Sequence, residues 1–410
     1  MAEPERHDVV VVGGGPAGLA AAMKLRRRGV ERVLVLEREP VAGGIPRHCG
    51  HSPFGMREFG RVLTGPTYAG RLRDQAGAAG VVIRTGHSVV ALEQGGRITV
   101  ATSDGPTSLA AGRVVLATGV REASRHARLI SGDRPLGVVT TGTLQSMIHG
   151  RHLVPFRRPV VVGTELVSLS ALLACRGARI RPVAMIEPRD RPTVRRAMML
   201  FPRLLGIAVH LGADLVEIRG GRRVEGVLVR TADGRPLELA CDGVLLTGRF
   251  LPEAALVRSS HLGLDPGTGG PAVDQFGRCT DPTYFAAGNL LRPVETAGWS
   301  FREGTRVGGC VADDLAGSLP QQSPALPIDR GHGVKLVVPQ RLALPLGRGG
   351  LRHLQLRVDR PVGGGLDLLA DGVPIWHRRT TALPERRLLV PLADIHLPPA
   401  TRRLEIGFRP

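Results

Sequence analysis

Residues 43–60 read GGIPRHCGHSPFGMREFG, and they set one cysteine, Cys49, beside His48 and His51. A thiolate is the nucleophile of thiol redox chemistry, and a cationic imidazole next to a thiol lowers its pKa. Histidine also titrates near neutrality, so His48 and His51 are candidates to carry protons. The other reading of Cys49 is a small structural or substrate-side residue, in a loop opened by Gly43 and Gly44 that wraps something else. The remaining cysteines, Cys175, Cys241, Cys279 and Cys310, are far apart in the chain. There is no CxxC, so the usual zinc and iron–sulfur spacings are absent and no metal centre is expected.

The elements that would position this loop come just before it. Residues 8–39 read DVVVVGGGPAGLAAAMKLRRRGVERVLVLERE. An apolar strand at 9–12 runs into Gly13, Gly15 and Gly18, spaced GxGxxG; a helix over 16–28 and a second strand over 32–36 follow, closing on Glu37. Gly13 permits the tight turn, Gly15 lets backbone approach a pyrophosphate, and Gly18 lets the helix pack on the strand. The helix N-terminus offers N–H donors and a positive dipole end, and the acid after the second strand suits ribose hydroxyls. A dinucleotide site is the expectation. Three further stretches behave as strands closing on a glycine: RVVLATGVRE (113–122, with Ala117, Thr118 and Gly119), CDGVLLTGRFLPE (241–253) and TYFAAGN at the start of 283–315.

This set resembles the two-dinucleotide-binding-domain flavoproteins, the pyridine nucleotide–disulfide oxidoreductase superfamily, across residues 8–317. The resemblance implies FAD held by Gly13, Gly15, Pro16, Ala17 and Gly18, with Glu37 and Arg38 toward the adenosine ribose and the backbone of Val89 toward adenine. It implies further contacts from Gly44, Ile45 and Arg47, from Ala117, Thr118 and Gly119, and from Gly288 and Asn289 at the ribityl-phosphate region. The helix starting near Thr296, Ala297 and Gly298 would point its N-terminus at the flavin's pyrimidine ring. Asn289 departs from the family, which usually has Asp there.

The family inserts a second Rossmann unit, and RRPVVVGTELVSLSALLACRGARIRPVAMIEP (157–188) fits one. Its fingerprint reads Gly163, Glu165, Ser168, and an acid, Glu187, closes the second strand. A glutamate at the middle position puts a side chain and a negative charge where backbone should meet pyrophosphate. Two readings stay open: NAD(P)H bound in an altered pose, or a fold that has lost this ligand.

Disulfide reductases of the superfamily carry a CxxxxC pair after a GG; counting from Gly44, its places are Pro46 and His51, so the dithiol is absent. A branch with one cysteine, the NADH peroxidases and coenzyme A–disulfide reductases, would use Cys49 but needs a working NAD(P)H site. The run from Gly43 onward, with RPLGVVTTGTLQ (134–145) and RPVETAGWSFREG (292–304), is similar to a third branch. These are the FAD/NAD(P)-binding subunits of opine oxidase, hydroxyproline dehydrogenase and hydrogen cyanide synthase, and flavoproteins accompanying bacterial glycerol-3-phosphate dehydrogenase. Many have a cysteine-rich [2Fe–2S] segment, which the sequence after Cys310 does not contain.

The 410 residues exceed one ordinary core. The formal charge of +19 comes from arginine, with Lys24 and Lys335 the only lysines, but no basic tract or aromatic platform suggests nucleic acid. Apolar runs stop well short of the roughly 18 residues of a membrane span, and the N-terminus has no signal core, so a cytoplasmic protein is expected. After a Pro/Ser/Gly-rich stretch, residues 334–410 alternate with period two between turns, as in a small antiparallel sandwich.

The expected fold is α/β: an FAD-binding Rossmann-like domain (1–122 and 249–318) with an inserted second Rossmann-like domain (123–248), a linker (319–333) and a C-terminal all-β sandwich (334–410). The expected function is an FAD-dependent oxidoreductase, one component of a multi-subunit dehydrogenase or oxidase. It would pass electrons from a small amine or hydroxy substrate to a partner subunit or electron carrier. The alternatives are an NAD(P)H-dependent thiol or peroxide reductase using Cys49, and a non-catalytic flavin-binding scaffold subunit.

Overall fold

A computed structural model describes residues 4–320, 325–346 and 349–409. The chain separates into two units: Met1–Gly44, Ala69–Val120 and Pro252–Pro410 form one, and Ile45–Tyr68 with Arg121–Leu251 form the other. The loop carrying Cys49 therefore belongs with the second unit.

In the first unit, strand Glu5–Val12 lies between Val33–Glu37 and the long strand Gly105–Leu116, parallel to both, with Val10 opposite Leu34 and Val114. Val82–Thr85 extends this layer beyond Val33–Glu37, and Tyr284–Ala286 extends it beyond Gly105–Leu116. Val9, Val10, Val11 and all of Val33–Glu37 are buried, which is why these segments read as unbroken apolar runs rather than alternating ones. The first half of Gly105–Leu116 turns back into an antiparallel meander with Arg97–Thr102 and Ser88–Leu92. Helix Ala297–Leu315 crosses helix Pro16–Arg27 at Gly304 and Gly308. A Cβ on these glycines would stand 2.0 Å from the Ala17 carbonyl oxygen and 2.5 Å from that of Ala21. Only bare backbone permits so close a crossing.

The second unit repeats the plan. Its parallel layer runs Ala208–Leu211, Ala184–Glu187, Pro159–Val162, Gly243–Leu246, Val138–Thr140, beside a meander of Asp214–Arg219, Gly226–Arg230 and Pro236–Ala240. Helix Leu166–Gly177 follows the central strand as Pro16–Arg27 does in the first unit.

The C-terminal segment is a sandwich packed within the first unit. Among the described residues, one sheet has five strands (Arg341–Ala343, Ala325–Arg330, Leu404–Phe408, Val362–Ala370, Val373–Ala382), and the other has three (Val334–Val338, His353–Val358, Leu388–Pro391). Two expectations change here. Ala325–Arg330 and Leu404–Phe408 pair in parallel, so the sandwich is not purely antiparallel. Residues 325–330, read as linker, form a strand whose Leu326 and Ile328 are buried in the sandwich core; the flanking prolines masked their alternation. Residues 321–324 of that stretch lie outside the described residues. Gln275 ties the sandwich down, donating from Nε2 to the Ala343 carbonyl at 2.7 Å and accepting the Ala343 N–H at 2.8 Å. Val338 and Leu351 join the core beneath the parallel sheet.

Candidate functional site

The GxGxxG turn of the first unit makes a cradle at the carboxyl ends of the parallel strands. Gly13 has φ +108°, and a Cβ on it would stand 2.5 Å from the Ala117 carbonyl oxygen. Gly18 meets the Gly13 carbonyl even more closely, so two points of the fingerprint are fixed by backbone contact. Glu37 is buried. Its Oε2 accepts the Gly14 N–H at 3.0 Å and its Oε1 accepts the Glu39 N–H at 2.9 Å, which orders the turn and leaves lone pairs for a ribose. Gly15 caps the Pro16–Arg27 helix, with no side chain closing its first turn and no acid in that turn. Within 4 Å of the place a Gly15 Cβ would take, only the Gly44 Cα is found. This open, uncapped helix end fits a pyrophosphate, so the cradle fits FAD.

The expected cofactor residues of this unit come together around that end. Gly44 abuts Gly15 and Pro16, Ala117 abuts Gly13, and Gly288 abuts Ala17. Thr118 donates from Oγ1 to the Glu253 carbonyl at 2.8 Å, and the Glu253 N–H donates to Gly119 at 2.9 Å, tying the strand end to the returning chain. Val89 sits beside a bulge in the meander, where the pairing register shifts between Val89 and Ala91. Arg38 is exposed just past Glu37. Thr296 caps helix Ala297–Leu315 with no side-chain hydrogen bond, leaving the first-turn donors at Ala297 and Gly298 without a side-chain cap. Asn289 is partly committed: its Nδ2 donates to the Glu295 carbonyl at 3.0 Å and its Oδ1 accepts the Glu295 N–H at 2.7 Å.

Several residues of this wall escaped the sequence reading. Glu303 accepts the Gly288 N–H at 2.9 Å and pairs with Arg292 through two hydrogen bonds, 2.8 and 3.1 Å, with both side chains almost wholly buried. Glu295 takes an ion pair from Arg387 at 2.6 Å, and the Arg387 guanidinium lies 3.8 Å above the Trp299 ring. Arg357 donates to the Val294 carbonyl at 2.8 Å. The sandwich thereby grips the loop between Asn289 and the helix. Only the RPVETAGWSFREG motif hinted at this, and it did not name the partners.

The second unit has the same turn with a different filling. Gly163 has φ +117°, and Glu187 accepts the Thr164 N–H at 3.1 Å as Glu37 accepts that of Gly14. At the helix cap stands Glu165, folded back so that its carboxylate accepts from Ser168 Oγ at 3.1 Å and Thr247 Oγ1 at 3.0 Å. Burial raises its pKa.

Ile45, Arg47, His48, Cys49 and His51 also lie in this unit. Cys49 is buried, and its Sγ donates to Gln145 Oε1 at 3.3 Å. Burial, and then the nearby charge of Glu122, push the thiol up to about 12. Burial lowers the pKa of His51, and burial also lowers that of His149, whose ring packs on Gly50. His51 Nδ1 faces the Ser52 carbonyl at 3.2 Å and must donate to it, so the basic nitrogen is Nε2. His48 and Arg47 contact each other at 3.4 Å, while Ile45 is exposed. A thiol at about 12 is ionised to roughly one part in 10⁵ at pH 7, against a few per cent for a free cysteine. Cys49→Ser is therefore expected to keep flavin reduction and turnover within about twofold of wild type, measured by stopped-flow and steady-state rates. A loss of a hundredfold or more would show that the thiol acts chemically.

With this geometry the class is defined: a flavin-type cradle on one Rossmann unit, a second Rossmann unit inserted, and a redox-type loop with one thiol. The chain belongs to the pyridine nucleotide-disulphide oxidoreductase family, whose sequence profile matches residues 7–304. Members of that family are FAD-binding oxidoreductases that interact with NAD(P). The chain is 28% identical over 304 residues to thioredoxin reductase of Treponema pallidum, covering 71% of this chain and 92% of that one. It is 25% identical over 278 residues to one of the subunits of opine oxidase from Rhizobium meliloti, covering 63% of this chain and 56% of that one. The crystal structure of T. acidophilum thioredoxin reductase superposes with a TM-score of 0.64 at 23% identity, over 76% of this chain and 99% of that one, which shows the shared fold. No helix among the described residues is long and apolar enough to cross a membrane.

Proposed function

We propose that the protein is the FAD-carrying component of a multi-subunit dehydrogenase or oxidase, working in the cytoplasm on a small amine or hydroxy compound and passing the electrons to a partner. The observation that carries this reading is the contrast within the chain: one unit has an open flavin cradle, and the other has a loop whose single thiol is buried and held protonated. The similarity to the opine oxidase component supports the substrate class and the partnership.

FAD in the first cradle would supply a two-electron acceptor. The residues present would do the rest. Gly13, Gly15 and the first turn of the Pro16–Arg27 helix would bind the pyrophosphate, Glu37 the ribose, and Gly288 with Asn289 the ribityl-phosphate region. The uncapped N-terminus at Thr296, Ala297 and Gly298 would favour negative charge on the ring it faces. His51, whose pKa burial lowers, would offer Nε2 as a proton acceptor.

The thiol-reductase alternative is disfavoured by the buried Cys49. The test is reconstitution: protein incubated with FAD and desalted should retain about one flavin per chain. A chain that retains none overturns the enzymatic reading.

A further inference from the structure

We propose that the Glu165 carboxylate is a tethered occupant of the dinucleotide seat in the second unit, standing where a pyrophosphate would stand, so that the folded chain is closed to NAD(P)H. This goes beyond the flavin chemistry proposed above, which concerns the first cradle.

The chain contains the same device twice, so each copy calibrates the other. Gly13 and Gly163 make the turn in the same left-handed conformation, φ +108° and +117°. Glu37 and Glu187 accept the next N–H at 3.0 and 3.1 Å. Thr118-Gly119 and Thr247-Gly248 follow the strand on the other side of the central one, with the glycines at φ +76° and +64°. The copies part at the helix cap. Around Gly15 the seat is open. Around Glu165 it is filled: carboxylate oxygens lie 2.4 Å from where a Cβ would stand on Gly163 and on Gly248, the two glycines that wall the seat.

The occupant is held in place. Ser168 Oγ and Thr247 Oγ1 both bond its Oε2 and lie 2.7 Å from each other. Ser168 stands at the third position of the fingerprint, where the first unit has Gly18, so the side chain that replaced a glycine now anchors the plug. Arg128 lines the same wall, donating to the Thr247 and Gly248 carbonyls at 2.9 Å, and the charge of Glu165 acts on it. An incoming pyrophosphate would have to displace a side chain already satisfied by hydroxyls. The thioredoxin reductase to which the chain is similar belongs to a family that interacts with NAD(P); the residues here do not fit that ligand.

The test is calorimetric titration of FAD-loaded protein, in which the first cradle is already taken, with ADP-ribose and NADH. Wild type should show no saturable binding up to millimolar ligand. Glu165→Gly should gain affinity by about a hundredfold, as expected when a side chain held by two hydroxyl hydrogen bonds no longer has to be displaced from the seat. Glu165→Ala, which keeps the native Cβ and makes no new steric demand, should gain in the same direction if the glycine variant fails to fold. Glu165→Gln keeps the seat filled and should stay at wild-type affinity. Saturable micromolar binding by wild type would overturn the proposal, as would folded, flavin-loaded Gly and Ala variants that gain nothing, or a Gln variant that gains as much as they do. Failure of the flavin reading would show itself separately, as protein that holds no FAD before the titration begins.

Discussion

Replacing Gly15 with glutamate should strip the chain of FAD. The substitution places in the first unit the residue that fills the second. The backbone at Gly15 has φ −80°, a value any side chain adopts, and a Cβ there has room, so the helix should still form. The carboxylate would fall beside the pyrophosphate seat bounded by Gly13 and Gly119. Two unit charges about 4 Å apart interact by about 4 kcal/mol at an effective dielectric of 20, and each 1.4 kcal/mol is tenfold in affinity. A loss of about a thousandfold in FAD affinity is expected, measured by flavin content after desalting and by fluorescence titration of the apoprotein. Gly15→Ala should lose far less. A folded Gly15→Glu protein that keeps one FAD per chain at wild-type affinity would show that the pyrophosphate does not sit there.

Breaking the Arg292–Glu303 pair should be the most destabilising single change in the flavin-side wall. Both side chains are buried, the pair has two hydrogen bonds, and Glu303 also holds the Gly288 N–H. Glu303→Ala strips the buried guanidinium of both these hydrogen bonds and leaves it the Glu295 carboxylate at 4.0 Å, and removing one partner of a buried pair typically costs about 3–5 kcal/mol. The Gly288–Asn289 turn would lose its anchor as well, so flavin retention should fall with the unfolding midpoint. Arg292→Met should be comparably harmful. The double variant Arg292→Met/Glu303→Ala should cost clearly less than the sum of the singles, because neither member of the pair is left buried without the other. Denaturant unfolding of the four proteins checks this. Additive losses, or a Glu303→Ala midpoint equal to wild type, would mean the pair is not the anchor.

What could be read in the sequence was local. Gly13, Gly15, Gly18 and Glu37 lie within one strand–turn–helix–strand unit, where spacing dictates geometry, and the structure brings that turn together with Ala117 and Gly288. The alternation of residues 334–410 likewise gave the sandwich away, because period-two burial is a property of single strands. What stayed hidden depends on long-range pairing. Gln145, which accepts from Cys49, is 96 positions away. The parallel pairing of Ala325–Arg330 with Leu404–Phe408 joins the two ends of the sandwich. The grip of Arg357 and Arg387 on the flavin-side loop connects segments that share no motif. Glu165 is the instructive case. Its place in the fingerprint marked a damaged site, but only the fold-back onto Gly163 and Gly248 turns damage into occupancy.

The central claim is that FAD in the first unit exchanges electrons with a substrate and a partner rather than with nicotinamide. It is tested most directly by the visible spectrum of the FAD-loaded protein under anaerobic conditions. The account predicts that excess NADH or NADPH leaves the oxidised flavin band intact, while dithionite removes it. Bleaching of that band by stoichiometric NADH or NADPH, at a rate compatible with turnover, would contradict it.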